Sequence, residues 1–80
     1  MLSEFIAAAL RHAQYELMED GAFFATVPEL RGVWATAPTV EACRAELQEV
    51  IEGWLLLGLR HGDEIPTLDG ISLEVREASA

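Results

Sequence analysis

The sequence predicts an α+β domain with the element order α-β-β-β-α-β. Three observations carry this. An apolar stripe at helical spacing opens the chain, a Glu19-Asp20-Gly21 turn separates two runs of β-forming residues, and a long helical stripe follows Pro38. A three-stranded antiparallel meander, then a long helix and a final strand, makes a sheet with helix packed on one face.

Residues 2–13 read as the N-terminal helix. Ser3 is placed to cap it, and Phe5, Ile6, Ala9, Leu10 and Ala13 fall on one stripe. Residues 15–18 and 22–27 alternate as two strands, joined where Gly21 accepts the positive φ that a tight hairpin needs. Pro28 ends the second strand because it cannot donate to a central ladder. The short connection Glu29-Leu30-Arg31-Gly32 then leads antiparallel into a third strand at 33–37.

Thr39 is a natural cap for the long helix, and Glu41 in its first turn suits the helix dipole. Val40, Cys43, Leu47, Val50, Trp54 and Leu57 recur at steps of three and four, which predicts one buried stripe. Arg60 and His61 favour the far end, and Gly62 is a stop signal. Residues 63–66 form a loop. Ile71, Leu73 and Val75 alternate with Ser72, Glu74 and Arg76, a final strand with one wet face. Ile51, Leu55, Leu56 and Leu59 add apolar surface to the helix beyond its stripe. Two readings stand for that surplus: the N-terminal helix covers it, or it is an oligomer seam.

The 80 residues make a single domain. Apolar burial in a chain this size contributes on the order of 120 kcal/mol. Ordering the chain costs roughly the same, at about 1.5 kcal/mol per residue. Self-association or a bound partner is therefore a natural source of extra stability.

Fourteen acidic residues against five basic ones, all arginine and widely spaced, give a net charge of -9. Such a surface repels nucleic-acid phosphates, so direct DNA binding is not expected. It attracts and steers a basic protein partner. Cys43 is the single cysteine, which excludes an intrachain disulfide. The opening residues lack the basic region of a signal peptide, and the longest apolar run, 54–57, is too short to cross a bilayer. A cytoplasmic, membrane-free protein is expected.

The segment Phe23-Phe24-Ala25-Thr26-Val27-Pro28-Glu29-Leu30-Arg31-Gly32-Val33-Trp34-Ala35-Thr36 resembles the core of the HicB-like antitoxin family. Thr39-Val40-Glu41-Ala42-Cys43 is similar to that family's helix start, and Gly62-Asp63-Glu64-Ile65-Pro66 to its Gly-x-x-Ile-Pro exit. The likeness runs from residue 15 to 66, within a core of 15–76 that the helix at 2–13 precedes. It implies a partly RNase H-like sheet and the antitoxin role in a type II toxin–antitoxin pair. The implied partner is a HicA-like basic ribonuclease toxin, held by protein contact, and the implied assembly is a homo-oligomer, dimer or tetramer. Many members carry a C-terminal operator-binding domain. This chain has no matching residues after its last strand, which agrees with the expectation against DNA binding.

No catalytic activity, cofactor or metal is expected. Asp20, Glu41, Asp63 and Glu64 fall in turns, a helix start and a loop, so they do not make the carboxylate cluster of a two-metal nuclease. His12 and His61 belong to no recognisable triad. His61 beside Arg60 reads as a helix-end cation. Cys43, on the buried stripe, reads as a small apolar residue. Phe24 and Trp34 alternate out of phase with Phe23, Ala25 and Val33 and face away from the long helix. They are interface anchors, unless the N-terminal helix covers them. Glu29 and Arg31 are candidate polar contacts at the rim, and Trp54 a further interface candidate. The functional expectation is an antitoxin that occludes its toxin; the alternative is an orphan homo-oligomer of the same fold with a structural or regulatory role.

Overall fold

A computed structural model describes residues 2–62 and 64–71. Helix α1 spans Leu2–Arg11, strands β1, β2 and β3 span Gln14–Leu17, Phe23–Thr26 and Trp34–Ala37, and helix α2 spans Val40–His61. The sheet order is β1-β2-β3, antiparallel throughout. This is the α+β arrangement of helix, three-stranded meander and long helix. The expected final strand over 71–76 lies outside the described residues except for Ile71, which pairs with Leu68 in an isolated antiparallel bridge.

Each boundary has a local cause. At the first hairpin the Gly21 amide donates to the Met18 carbonyl, the Ala22 amide to Asp20 Oδ1, and Gly21 takes a φ of 88°. At the start of α2, Thr39 is extended and its hydroxyl accepts from the Ala42 amide at 3.1 Å, satisfying one of the free amides of the first turn. At its end Gly62, with φ 74°, donates back to the Gly58 and Leu59 carbonyls. Helix α1 stops at Arg11, two residues earlier than the sequence pattern suggests. There the His12 amide is shared between the Ala8 and Ala9 carbonyls.

Helix α2 packs across β3 and β2, and α1 packs against α2. Ala25 and Ala35 bring the sheet close to the helix, whose Cys43, Leu47, Ile51, Leu55 and Gly58 are buried. Phe5, Ala8, Ala9 and Leu10 of α1, together with Leu30 and Leu68 from the connections, complete the core. The expected stripe is thus corrected in its second half. Ile51, Leu55 and Gly58 face inward where Val50, Trp54 and Leu57 were expected, a rotation of one residue or about 100°. Val40 is exposed, and Leu57 is 56% exposed. The cause is the apolar character of both faces, which leaves the pattern without a unique phase. Trp54 sits at the edge of the core because its indole N–H needs a polar partner. No helix among the described residues is long and apolar enough to cross a membrane.

Candidate functional site

The sheet has one covered face and one open face. Pairing of Gln14 with Thr26 and of Thr26 with Trp34, and of Glu16 with Phe24 and of Phe24 with Thr36, places these six residues on the side away from α2. Phe24 and Trp34 are diagonal neighbours across β2 and β3. Their rings stack, with centroids 5.9 Å apart and planes inclined by 25°. Trp34 is 54% exposed. Among the described residues helix α1 lies against α2 and not over this pair. Beside the stack, a shallow groove is lined by Met18, Glu19, Asp20, Ala22, Phe24 and Thr36. The strand residues of this face carry one charge, that of Glu16, and no cation.

The other three candidates, Glu29, Arg31 and Trp54, meet around the connection between β2 and β3. Leu30 is buried and anchors that loop, with its amide donating to Val27 and its carbonyl accepting from Val33. Gly32 supplies the positive φ of 84° that turns the chain back into β3. The Trp54 indole N–H donates to the Arg31 carbonyl at 3.0 Å, so this side chain fastens α2 to the loop. The Pro-Glu-Leu-x-Gly pattern thus describes a loop closed by its leucine, turned by its glycine and held from both sides.

Glu29 holds the other side of the loop. Its carboxylate lies 2.7 Å from His12 Nδ1, and His12 Nε2 lies 2.8 Å from Asp69 Oδ1. Arg11 Nη2 donates to Asp69 Oδ2 at 3.0 Å. A neutral imidazole donates from one nitrogen alone, so carboxylates on both sides favour the imidazolium. The hydrogen bonds to Asp69 and then Glu29 raise the His12 pKa above its ordinary 6.5. The bond from His12 lowers the pKa of Glu29 and, with Arg11, that of Asp69. Sequence reasoning missed this cluster. Asp69 and Gly70 both have positive φ between the paired residues Leu68 and Ile71, the pattern of a type I′ turn. The Asp-Gly dipeptide signals such a turn, but nothing in the sequence links it to a histidine 57 residues away.

These arrangements define what chemistry is available. Both His12 nitrogens are engaged by carboxylates. The Cys43 thiol is buried 3.6 Å from the Ala35 carbonyl and 3.7 Å from that of Phe23, and burial, with Glu46 nearby, pushes its pKa up. A protonated, enclosed thiol is a poor nucleophile. Among the described residues no group of three or more His, Cys, Asp or Glu is placed to hold a metal ion.

A family model described as UPF0150-like matches residues 4–66. The crystal structure of TTHA0281 from Thermus thermophilus is similar to this chain with a TM-score of 0.88 and 35% sequence identity, covering 95% of each chain. A search of curated proteins finds no match.

Proposed function

Since the chain belongs to the UPF0150-like family, we propose that it is a binding module of the HicB antitoxin kind. It captures a small basic ribonuclease toxin of the HicA kind on the open face of its sheet. The observation that carries this reading is the uncovered Phe24–Trp34 stack on a cation-free strand surface. Aromatic rings of this sort anchor interfaces because they bury a large area at little entropic cost, and an arginine can lie on the face of either ring. Glu16 on the same face, and Glu19 and Asp20 in the adjoining groove, supply the opposite charge that a basic partner requires. The net charge of -9 speeds the encounter.

In this reading the protein occludes its partner and does no chemistry of its own, without cofactor or metal. The engaged His12 and enclosed Cys43 support that. It works in the cytoplasm, where a single unpaired cysteine is chemically safe.

Co-expression with a small basic protein encoded next to it is the test. Wild type should relieve the neighbour's toxicity and co-purify with it. Trp34→Ala should weaken the complex by at least about thirtyfold, the loss typical of a central aromatic anchor, while the loss of its stack on Phe24 lowers the melting temperature only modestly. Full neutralisation by Trp34→Ala and Phe24→Ala would remove the open face as the binding surface. A neighbour that is neither toxic nor bound would remove the antitoxin role and leave the orphan homo-oligomer.

A further inference from the structure

We propose that the outer edge of β3 takes up a strand of the basic toxin, so that the partner extends this chain's sheet by one strand. The inference rests on the reading above and deepens it, since it says how the same partner is held. In strand addition of this kind main-chain hydrogen bonds supply the attachment, and side-chain alternation supplies the choice of partner.

The first hairpin fixes which main-chain groups face outward. The Met18 amide donates to the Ala22 carbonyl at 2.8 Å. In the register of β1 and β2 this makes Glu16 with Phe24, and Gln14 with Thr26, the hydrogen-bonded pairs. Phe23 and Ala25 therefore turn their main-chain groups toward β3, where they meet Ala37 and Ala35. Trp34 and Thr36 are left with amides and carbonyls aimed away from the sheet. Among the described residues no turn, loop or side-chain hydrogen bond reaches these four groups.

This edge is also unguarded. Sheets blunt exposed edges with charge, proline or a bulge. Strand β1, at the other edge, carries Glu16, whereas β3 reads Trp-Ala-Thr-Ala and its register is unbroken. The Leu68–Ile71 turn is fastened through Asp69 to Arg11 and His12, just before β1. Trp34 and Thr36 then carry both halves of the site: their side chains stand with Phe24 on the open face, and their main chains form the edge. A residue added beside Trp34 shares that face, where a cation can lie on the indole ring. Charge selects the occupant. Asp20 shares a groove with Thr36, Ala37 and Pro38, Glu19 lines the adjoining one, and Glu41 follows in the first turn of α2. Arg31 and Arg44 are the cations nearest β3 in sequence, so carboxylates prevail around its far end. A basic strand is drawn to this edge, while a second copy, also at -9, is repelled.

The test uses the full chain and the small basic protein encoded next to it. Amide hydrogen exchange followed by NMR should find the Trp34 and Thr36 amides unprotected in the free chain and slowed at least about tenfold in the complex. The Ala35 and Ala37 amides, bonded to β2, should be slow in both. Thr36→Pro removes an outward N–H where an edge strand tolerates proline, and should weaken the complex at least about tenfold. Thr36→Ala keeps that N–H and should bind within about threefold of wild type. Thr36→Pro binding no more weakly than Thr36→Ala would overturn the proposal, and would leave the open-face reading, tested by Trp34→Ala, in place. Exchange at the two amides that is unchanged on binding would do the same, and needs no variant to fold. Protection already present in the free chain would overturn it as well. If that protection grows with concentration, a second copy holds the edge; if it is constant, residues of this chain do. A neighbour that does not bind removes both readings.

Discussion

His12 joins three parts of the chain that secondary structure does not join: the end of α1, the loop between β2 and β3, and the turn at Asp69. Its contribution is tied to protonation. A histidine whose folded pKa is raised stabilises fully below its unfolded value of 6.5 and loses that stabilisation as pH rises through the folded pKa. The carboxylates act in the opposite sense. Their folded pKa values are lowered, so their share is complete above the ordinary 4.5 of Glu29 and 3.8 of Asp69 and is lost on further acidification. The clasp is therefore strongest between these limits, in mildly acidic solution. His12→Gln should lower the melting temperature most in that window and progressively less toward alkaline pH. A difference that does not vary with pH would mean that the imidazole acts as a neutral spacer. These groups are solvent-exposed, so added salt should narrow the difference.

At the level of elements, α2 is defined by its ends. Thr39→Ala removes the hydroxyl that accepts from Ala42 and should cost about 1 kcal/mol, lowering the melting temperature by roughly 4–8 °C in a domain of this size. Thr39→Asn, which keeps an acceptor, should recover most of it; no difference between the two would show that the cap is not holding the helix. Thr39 and Gly62 were both legible in the sequence, because capping is a matter of local residue type. So was the first hairpin, where the Asp20 side chain and the Gly21 backbone do the turning. The inward face of α2 was less legible. Val50 beside Ile51, and Trp54 beside Leu55, Leu56 and Leu57, give two apolar lines one residue apart, and only contact with the sheet selects between them. Of the interface candidates, Phe24 and Trp34 could be placed on the open face by strand alternation alone. The engagement of Glu29 and Trp54 within the fold could not, because both partners lie across loops whose paths carry no period.

At the level of the whole molecule, two layers present two different exteriors. The open sheet face offers stacked rings near carboxylates, and the outer face of α2 offers Leu56 and Leu57 among Glu49, Glu52 and Arg60. The core between them is built from small residues on the sheet and longer ones on the helix, so a substitution on either exterior should leave the other undisturbed.

The chain's two tryptophans divide along the same line, and this has an optical consequence. Trp34 stands in solvent on the open face, while Trp54 is partly enclosed and tied to the Arg31 carbonyl. Excited together, the first should emit at longer wavelength than the second. Capture of a partner should shift the emission to the blue in wild type and in Trp54→Phe, but not in Trp34→Phe. Urea should shift chiefly the Trp54 signal. Fluorescence of the unlabelled protein would then follow recognition and unfolding separately; identical responses from the two single-tryptophan variants would show that Trp34 does not face the partner.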